Sequence, residues 1–348
     1  MTSAGSLEAH LVSDDRYDAW DAFVVRQERT GSIYSTAQYL DILCRAAGGT
    51  FSIVAVEEGG SLVGGIALYR KGNGAGYAIT NRRLLYYNGI VLRDDLPDSA
   101  TSARSEVLAA LNGVLRRQRA PAINLHCRNG AQDFSPFTEA GWRARPSQTI
   151  VVPTHDTARL WTRFDKNARR LVRRAESTGC TVDADNDFDS FYFAHEEIHR
   201  RKNAPLYLPR QAFRSYADEL IAARLGVIFT ARVAGGAPAA SQLVLLGKHS
   251  CSHTVCAGSH AEHLPTGAAY LLRWRAFTEL GARGYAANDL TDVSVGPVTR
   301  FKEQFGGERQ MNMMLRSPRR GILACGTQWY RALRKEAGTL FCGRRPRA

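Results

Sequence analysis

No run of about 18 apolar residues occurs in the 348-residue chain, so nothing in it reads as a membrane-spanning helix. Residues 1–8 are small and polar and carry no apolar h-region, so no secretory leader is expected. The seven cysteines are scattered, odd in number and without framework spacing. That excludes a disulfide scaffold and fits free thiols in a reducing cytoplasm. There is no Gly-x-Ser-x-Gly elbow and no Cys/His pair that would mark a ready nucleophile. Acidic residues are also short: 33 Asp and Glu face 46 Lys and Arg, a formal charge of +13.

The excess is clustered. Residues 159–174 hold seven Lys/Arg against one Asp, and residues 316–348 hold nine against one Glu. Such clusters point to a polyanionic partner: a phosphate-bearing substrate, RNA or an anionic surface. In 157–177, Leu160, Phe164, Ala168, Leu171 and Ala175 share one helical face, while Arg163, Lys166, Arg170 and Arg173 share another. One helix is expected there, packed on one side and cationic on the other.

The chain reads as a plan given twice. A helix from Asp14 to Arg29 is expected to bury Tyr17, Trp20, Phe23 and Val24. Thr36 should cap a second, Gln38 to Ala47, stopped by Gly48-Gly49. Two apolar runs meet at Gly59-Gly60, a hairpin signal. A strand at 84–91, a helix at 99–118, a strand at 122–127, a helical turn at 134–141 and a strand at 149–152 follow. The second half repeats the order: a hairpin at Gly235-Gly236, a strand at 250–257, a helix at 266–280, a strand at 286–290 and a turn at 301–306. The length suits two domains. The reading is α/β (α+β): two related units, mainly antiparallel sheets flanked by helices, over 1–156 and 157–317. A single α/β domain with unrelated extensions is the alternative.

An ordered set of motifs carries a resemblance: Phe164-Asp-Lys166-Asn-Ala-Arg169-Arg170-Leu-Val-Arg173-Arg174, then Arg200-Arg201-Lys202-Asn203-Ala204-Pro205, then Ala257-Gly258-Ser259, Asp289, and Phe301-Lys302-Glu303-Gln304-Phe305-Gly306-Gly307. The set resembles the Fem family, the tRNA-dependent peptidyltransferases of cell-wall bridge synthesis and their relatives in peptide natural-product pathways. The resemblance implies two tandem acetyltransferase-like (GNAT) units, with a last helix, 328–337, packing residues 318–348 back on the first. It implies transfer of an amino acid from aminoacyl-tRNA, as co-substrate and without a cofactor, to the amine of a small peptide-bearing acceptor. It places Lys302 near the reacting ester or the tRNA end, and Lys166, Arg169, Arg170 and Arg173 on phosphates. A cytoplasmic monomer with no stable membrane insertion is expected.

Two departures matter. The family usually has glycine shortly after the aspartate matched by Asp289; here Thr291-Asp292 follow. The coiled-coil arm of some members is absent, which implies the compact form. A cousin group of acyl-CoA-dependent N-acyltransferases shares the fold. The coenzyme A pattern Arg/Gln-x-x-Gly-x-Gly/Ala fails here, because Leu264 holds its first position.

An aminoacyl ester is already activated, so an attacking amine needs positioning, loss of one proton and shelter for an oxyanion. Lys302 supplies a cation beside Phe301, and Asp289, at the end of a buried strand, is a candidate to hold or deprotonate the amine. Tyr207 and Tyr270 are candidates to orient substrate. His195-Glu-Glu-Ile-His199 matches a zinc-protease pattern, but the following Arg200-Arg201-Lys202 opposes a metal cation, and no metal is expected. His249, Cys251, His253 and Cys256 read as alternation on a buried strand rather than as ligands. Non-catalytic RNA binding through the same basic surfaces is the rival from another class.

Overall fold

The computed structural model describes residues 7–73, 76–80, 84–97, 103–118, 120–128, 133–293 and 296–318. The elements of the first half are β1 (Leu7–Leu11), α1 (Tyr17–Val25), α2 (Ala37–Ala47), β2 (Thr50–Glu58), β3 (Ser61–Asn73), β4 (Gly76–Ile79), β5 (Ile90–Leu92), α3 (Ala103–Arg117), β6 (Asn124–Cys127), α4 (Ser135–Thr138) and β7 (Arg143–Pro153). Then come α5 (Thr157–Arg163), α6 (Lys166–Ser177), β8 (Thr181–Asp183), α7 (Phe188–Arg201), α8 (Arg210–Ala222), β9 (Gly226–Arg232), β10 (Pro238–Leu245), β11 (Cys251–Ser259), α9 (Ala268–Ala282), β12 (Ala287–Asp289), α10 (Pro297–Glu303) and β13 (Glu308–Arg316).

Local chemistry explains the elements that match the reading. Thr36 caps α2 by accepting from the Tyr39 amide, and Gly48 ends it at a φ of 70°. Gly59 and Gly60 take φ of 56° and 81° in a two-residue link between β2 and β3, the backbone that a tight hairpin demands. Other expectations are corrected. The helix expected over 14–29 is a 3-10 turn at Asp14–Arg16 followed by the shorter α1. Of the strand expected at 84–91 only β5 forms. The expected return helix lies outside the described residues.

The single helix expected over 157–177 is two. Phe164 leaves the helical region at ψ 140°, and Asp165 caps α6 by accepting from the Asn167 amide at 2.8 Å. The Asp165 amide turns away to the Gln304 carbonyl at 2.9 Å, so the break is where α10 docks. On α6 the buried residues are Ala168, Val172 and Ala175, with Val172 in the place expected for Leu171.

Five strands form one sheet in the order β1-β2-β3-β4, with β5 also on β3; the other eight run β6-β13-β7-β12-β11-β10-β9-β8. A parallel bridge, Ile79 to Ile123, links the two sheets. β7 is antiparallel to both β12 and β13, and β13 is antiparallel to β6. Each half thus lends its last strand to the other, so residue 156 divides the chain in sequence but not in the sheet. The core is shared as well. Trp20, Tyr39 and Leu43 of the first half pack in one cluster with Phe191, Phe213 and Tyr216 of the second, and the Tyr39 and Tyr216 hydroxyls meet at 2.8 Å.

Candidate active site

The site is built where two parallel strands part. β11 pairs with β12 through Cys251–Ala287, Ser252–Asn288 and His253–Asp289, after which β11 runs on to Ser259 paired with β10 alone. The chain beyond Asp289 turns through Thr291 and Asp292, whose φ values are 50° and 28°. Two successive non-glycine residues in this region are strained, the threonine more so for its branched Cβ. The strain is held by bonds: the Thr291 amide donates to Asp289 Oδ1 at 2.7 Å and its hydroxyl to the Thr254 carbonyl at 3.2 Å. It is also put to use. The Lys302 ammonium on α10 donates to the Thr291 and Asp292 carbonyls, each at 2.7 Å. These are the positions where the resemblance led one to expect glycine, and the backbone is one that glycine adopts freely.

Lys302 is half-buried. Burial lowers its pKa from the ordinary lysine value to about 8; the Arg273 and Lys202 charges push the same way, and Asp292 and Asp289 oppose. Of its three N–H donors, two meet the carbonyls and one is left for a substrate oxygen.

Asp289 is wholly buried. Tyr87 donates to its Oδ2 at 2.8 Å, Thr149 and the Thr291 amide donate to Oδ1, and His253 Nδ1 lies 3.4 Å from Oδ2. Burial raises its pKa, but His253, Thr149 and Tyr87 outweigh that and bring it down to about 2. Both oxygens are engaged within the protein. The carboxylate therefore ties β12 to β7, to the 84–92 segment and to the strained turn, and offers no open oxygen to an amine.

Around this knot stand residues that the sequence reading passed over. Asn312 of β13 donates to the Tyr87 hydroxyl at 3.1 Å. His126 of β6 meets Ser147 at 2.8 Å and the Tyr86 carbonyl at 3.0 Å, and the Tyr86 hydroxyl is held by the Asp292 backbone. The only sequence signal was the paired Tyr86-Tyr87, in a stretch read as plain strand.

Phe301 and Tyr270 come together, ring centroids 4.9 Å apart at 75°, and both meet Phe305. Phe305 is fully buried and faces Phe164 at 5.4 Å. Gly306, at a φ of 68°, lies so close to Arg163 that a Cβ would come within 2.7 Å of that residue's Cβ. The Phe-Lys-x-x-Phe-Gly-Gly element is thus half anchor and half presentation.

The basic residues of α6 divide. Lys166, Arg170 and Arg173 are exposed; Arg170 bonds Asn167, one turn back, and Arg173 lies 5.7 Å over the Trp161 ring. Arg169 instead turns to the end of α5 and donates to the Thr162 carbonyl at 2.9 Å. Tyr207 sits apart, packed edge-on against His195 and His199 at 4.9 and 5.0 Å. Those two histidines share a helix face, as the spacing requires, but among aromatic rings. Among the described residues, no group of three His, Cys, Asp or Glu is placed to hold a metal, and no helix is long and apolar enough to cross a membrane. A cleft of about 1130 Å³ lies elsewhere, between α1, α2 and the 247–249 loop; its Asp14, Asp18, Asp21 and Asp41 have the wrong sign for a polyanion.

A family model described as an acetyltransferase (GNAT) domain matches residues 162–303. No curated protein is significantly similar in sequence. Among solved structures, FemX is 12% identical, with a TM-score of 0.68 over 88% of this chain and 96% of that one. A tandem GNAT protein from the clavulanic acid biosynthesis pathway is 13% identical, with a TM-score of 0.55 over 91% of this chain and 99% of that one. L-PGS from Bacillus licheniformis is 13% identical, with a TM-score of 0.52 over 89% of this chain and 98% of that one. The chain has the GNAT acyltransferase fold, present twice in tandem and joined by exchanged strands.

Proposed function

We propose that this protein is an aminoacyltransferase that moves an amino acid from aminoacyl-tRNA to an amine of a peptide-bearing acceptor and forms an amide bond. The observation that carries the reading is the Lys302 ammonium, fixed by two strained carbonyls at the point where β11 and β12 part. The likeness in fold to FemX and to L-PGS supports it.

The amine attacks the ester carbon, and negative charge develops on the carbonyl oxygen. The free N–H of Lys302 stabilises that charge in a half-buried setting, where it is stronger than in water. As the intermediate collapses, the C–O bond to the ribose breaks, and an ammonium with a pKa near 8 is suited to protonate the departing oxygen and then to take back the proton that the attacking amine sheds. Asp289 acts as a positioning residue that holds the Thr291–Asp292 turn. Tyr270 and Phe301 form an apolar wall next to the ammonium, and Lys166, Arg170 and Arg173 meet the tRNA backbone.

The start of α9 supports tRNA over coenzyme A as donor. A helix start after a glycine-rich loop would cradle a pyrophosphate. Here a 3-10 turn, Ala261–Thr266, precedes α9, and a Cβ at Gly267 would lie 2.4 Å from the Leu171 carbonyl of α6, so that end is covered. The test is transfer of radiolabelled amino acid from a charged tRNA pool to an amine acceptor. Ribonuclease should abolish it. A ribonuclease-insensitive reaction that needs coenzyme A would overturn the reading.

A further inference from the structure

Arg273 of α9 is 6% exposed, its Nη1 is buried without a hydrogen-bond partner, and it forms no ion pair among the described residues. Such a guanidinium is costly, because burial removes hydration that at Nη1 no hydrogen bond replaces. The cost shows in its pKa, which burial alone lowers to about 10; no carboxylate offsets it. Asp289, by contrast, is met by three donors and the half-buried Lys302 by two carbonyls.

The guanidinium also faces the right place. Tyr270, one turn before it, meets Phe301 at 4.9 Å, and Phe277, one turn after, meets Phe305 at 5.9 Å. This face of α9 is turned to α10, the helix that carries Lys302. The Arg273 and Lys202 charges both act on Lys302, Lys202 from the exposed end of α7. Asp292 and the already engaged Asp289 oppose them there.

We propose that Arg273, with Lys202, forms a binding site for one phosphate group beside Lys302, and that its occupant is the 5′-phosphate of the aminoacylated terminal nucleotide. The identity of the occupant rests on the transfer reaction proposed above; the phosphate site itself does not. A guanidinium grips phosphate through two parallel N–H donors, which suits a fixed, buried group better than a lysine. The reacting ester and that phosphate sit on the same ribose. Arg273 can therefore hold the phosphate while Lys302 reaches the ester oxygen, and the bond to phosphate fixes the ester in register.

Thermal unfolding with inorganic phosphate tests the site without any transfer assay. Phosphate should raise the melting temperature of the full-length protein and leave Arg273→Met unmoved, since a ligand stabilises only the state that binds it. Without phosphate, Arg273→Met should melt at least as high as the wild type, because an uncompensated buried charge has gone. Equal stabilisation of both by phosphate would overturn the proposal. Calorimetry then identifies the occupant. Adenosine 5′-monophosphate should bind about tenfold or more tightly than adenosine to the wild type, and equally with it to Arg273→Met. If inorganic phosphate binds but the nucleotide gains nothing over adenosine, the site stands and its assigned occupant falls. Should Arg273→Met fail to fold, the exposed Lys202→Ala takes its place, with about threefold weaker nucleotide binding expected and unchanged binding counting against the site. Nucleotide binding without transfer from charged tRNA would sink the proposed function and leave the phosphate site intact.

Discussion

Lys302 is defined by what holds it. Lys302→Met should lower kcat by about 10²- to 10³-fold with little change in KM, the scale of losing one preorganised donor to an oxyanion. An unchanged rate in the charged-tRNA assay would show that the ammonium is only structural. Because the fold lowers the pKa to about 8, the rate should fall as pH rises through that value. The stability sign is opposite. Between about 8 and the ordinary lysine value the unfolded chain holds a proton that the native state has shed, so this residue's contribution to stability rises with pH. Asp292→Gly separates backbone from carboxylate. The carbonyl still reaches Lys302, and the strain at a φ of 28° is relieved, so the melting temperature should hold or rise. The supporting negative charge is lost, so the basic limb of the rate profile should move to lower pH. Much of this was closed to sequence reading. Lys302 stood out by its local setting, but the turn that holds it departs from the expected glycine, and a residue's φ is not written in its identity.

At the scale of elements, α10 is fixed by the glycines that end it. Gly306→Ala combines a positive φ with a clash on the Arg163 backbone, and should cost about 2 to 3 kcal/mol in denaturant unfolding. The α6 cluster should split under mutation. Arg169→Ala removes the guanidinium bound to the end of α5, and should cost about 1 kcal/mol of stability. Arg170→Ala with Arg173→Ala should leave stability almost unchanged, weaken tRNA binding and reduce its salt dependence by about two phosphate contacts. Full wild-type affinity in the double variant would mean that this face is merely solvated. The amphipathic pattern was legible because charge and apolar spacing are local. The break at Phe164-Asp165 was not, because it is imposed by Gln304, which is remote in the chain.

The whole molecule is tied by its exchanged strands. Residues 1–156 alone leave β7 without β12 and β13, and β6 without β13, so that fragment should lack a cooperative unfolding transition. Observation of one would mean that the exchange is dispensable. Asp289 is the matching electrostatic tie. Its depressed pKa makes a stabilising contribution that is full above the ordinary aspartate range and is lost as pH falls toward about 2. Asp289→Asn should destabilise the protein by about 3 kcal/mol and flatten that acid limb.

The sequence by itself determined the local matters: the hairpin at Gly59-Gly60, the cap at Thr36, the cationic face of α6 and the cation in the Phe-Lys element. Spacing and residue type set these within a few turns of chain. Only the tertiary structure decided that β13 lies between β6 and β7, that Asp289 is saturated from four segments, and that Arg273 is buried with no counter-charge among the described residues. Desolvation and pairing depend on which distant groups meet, and that is settled when the two sheets close on each other.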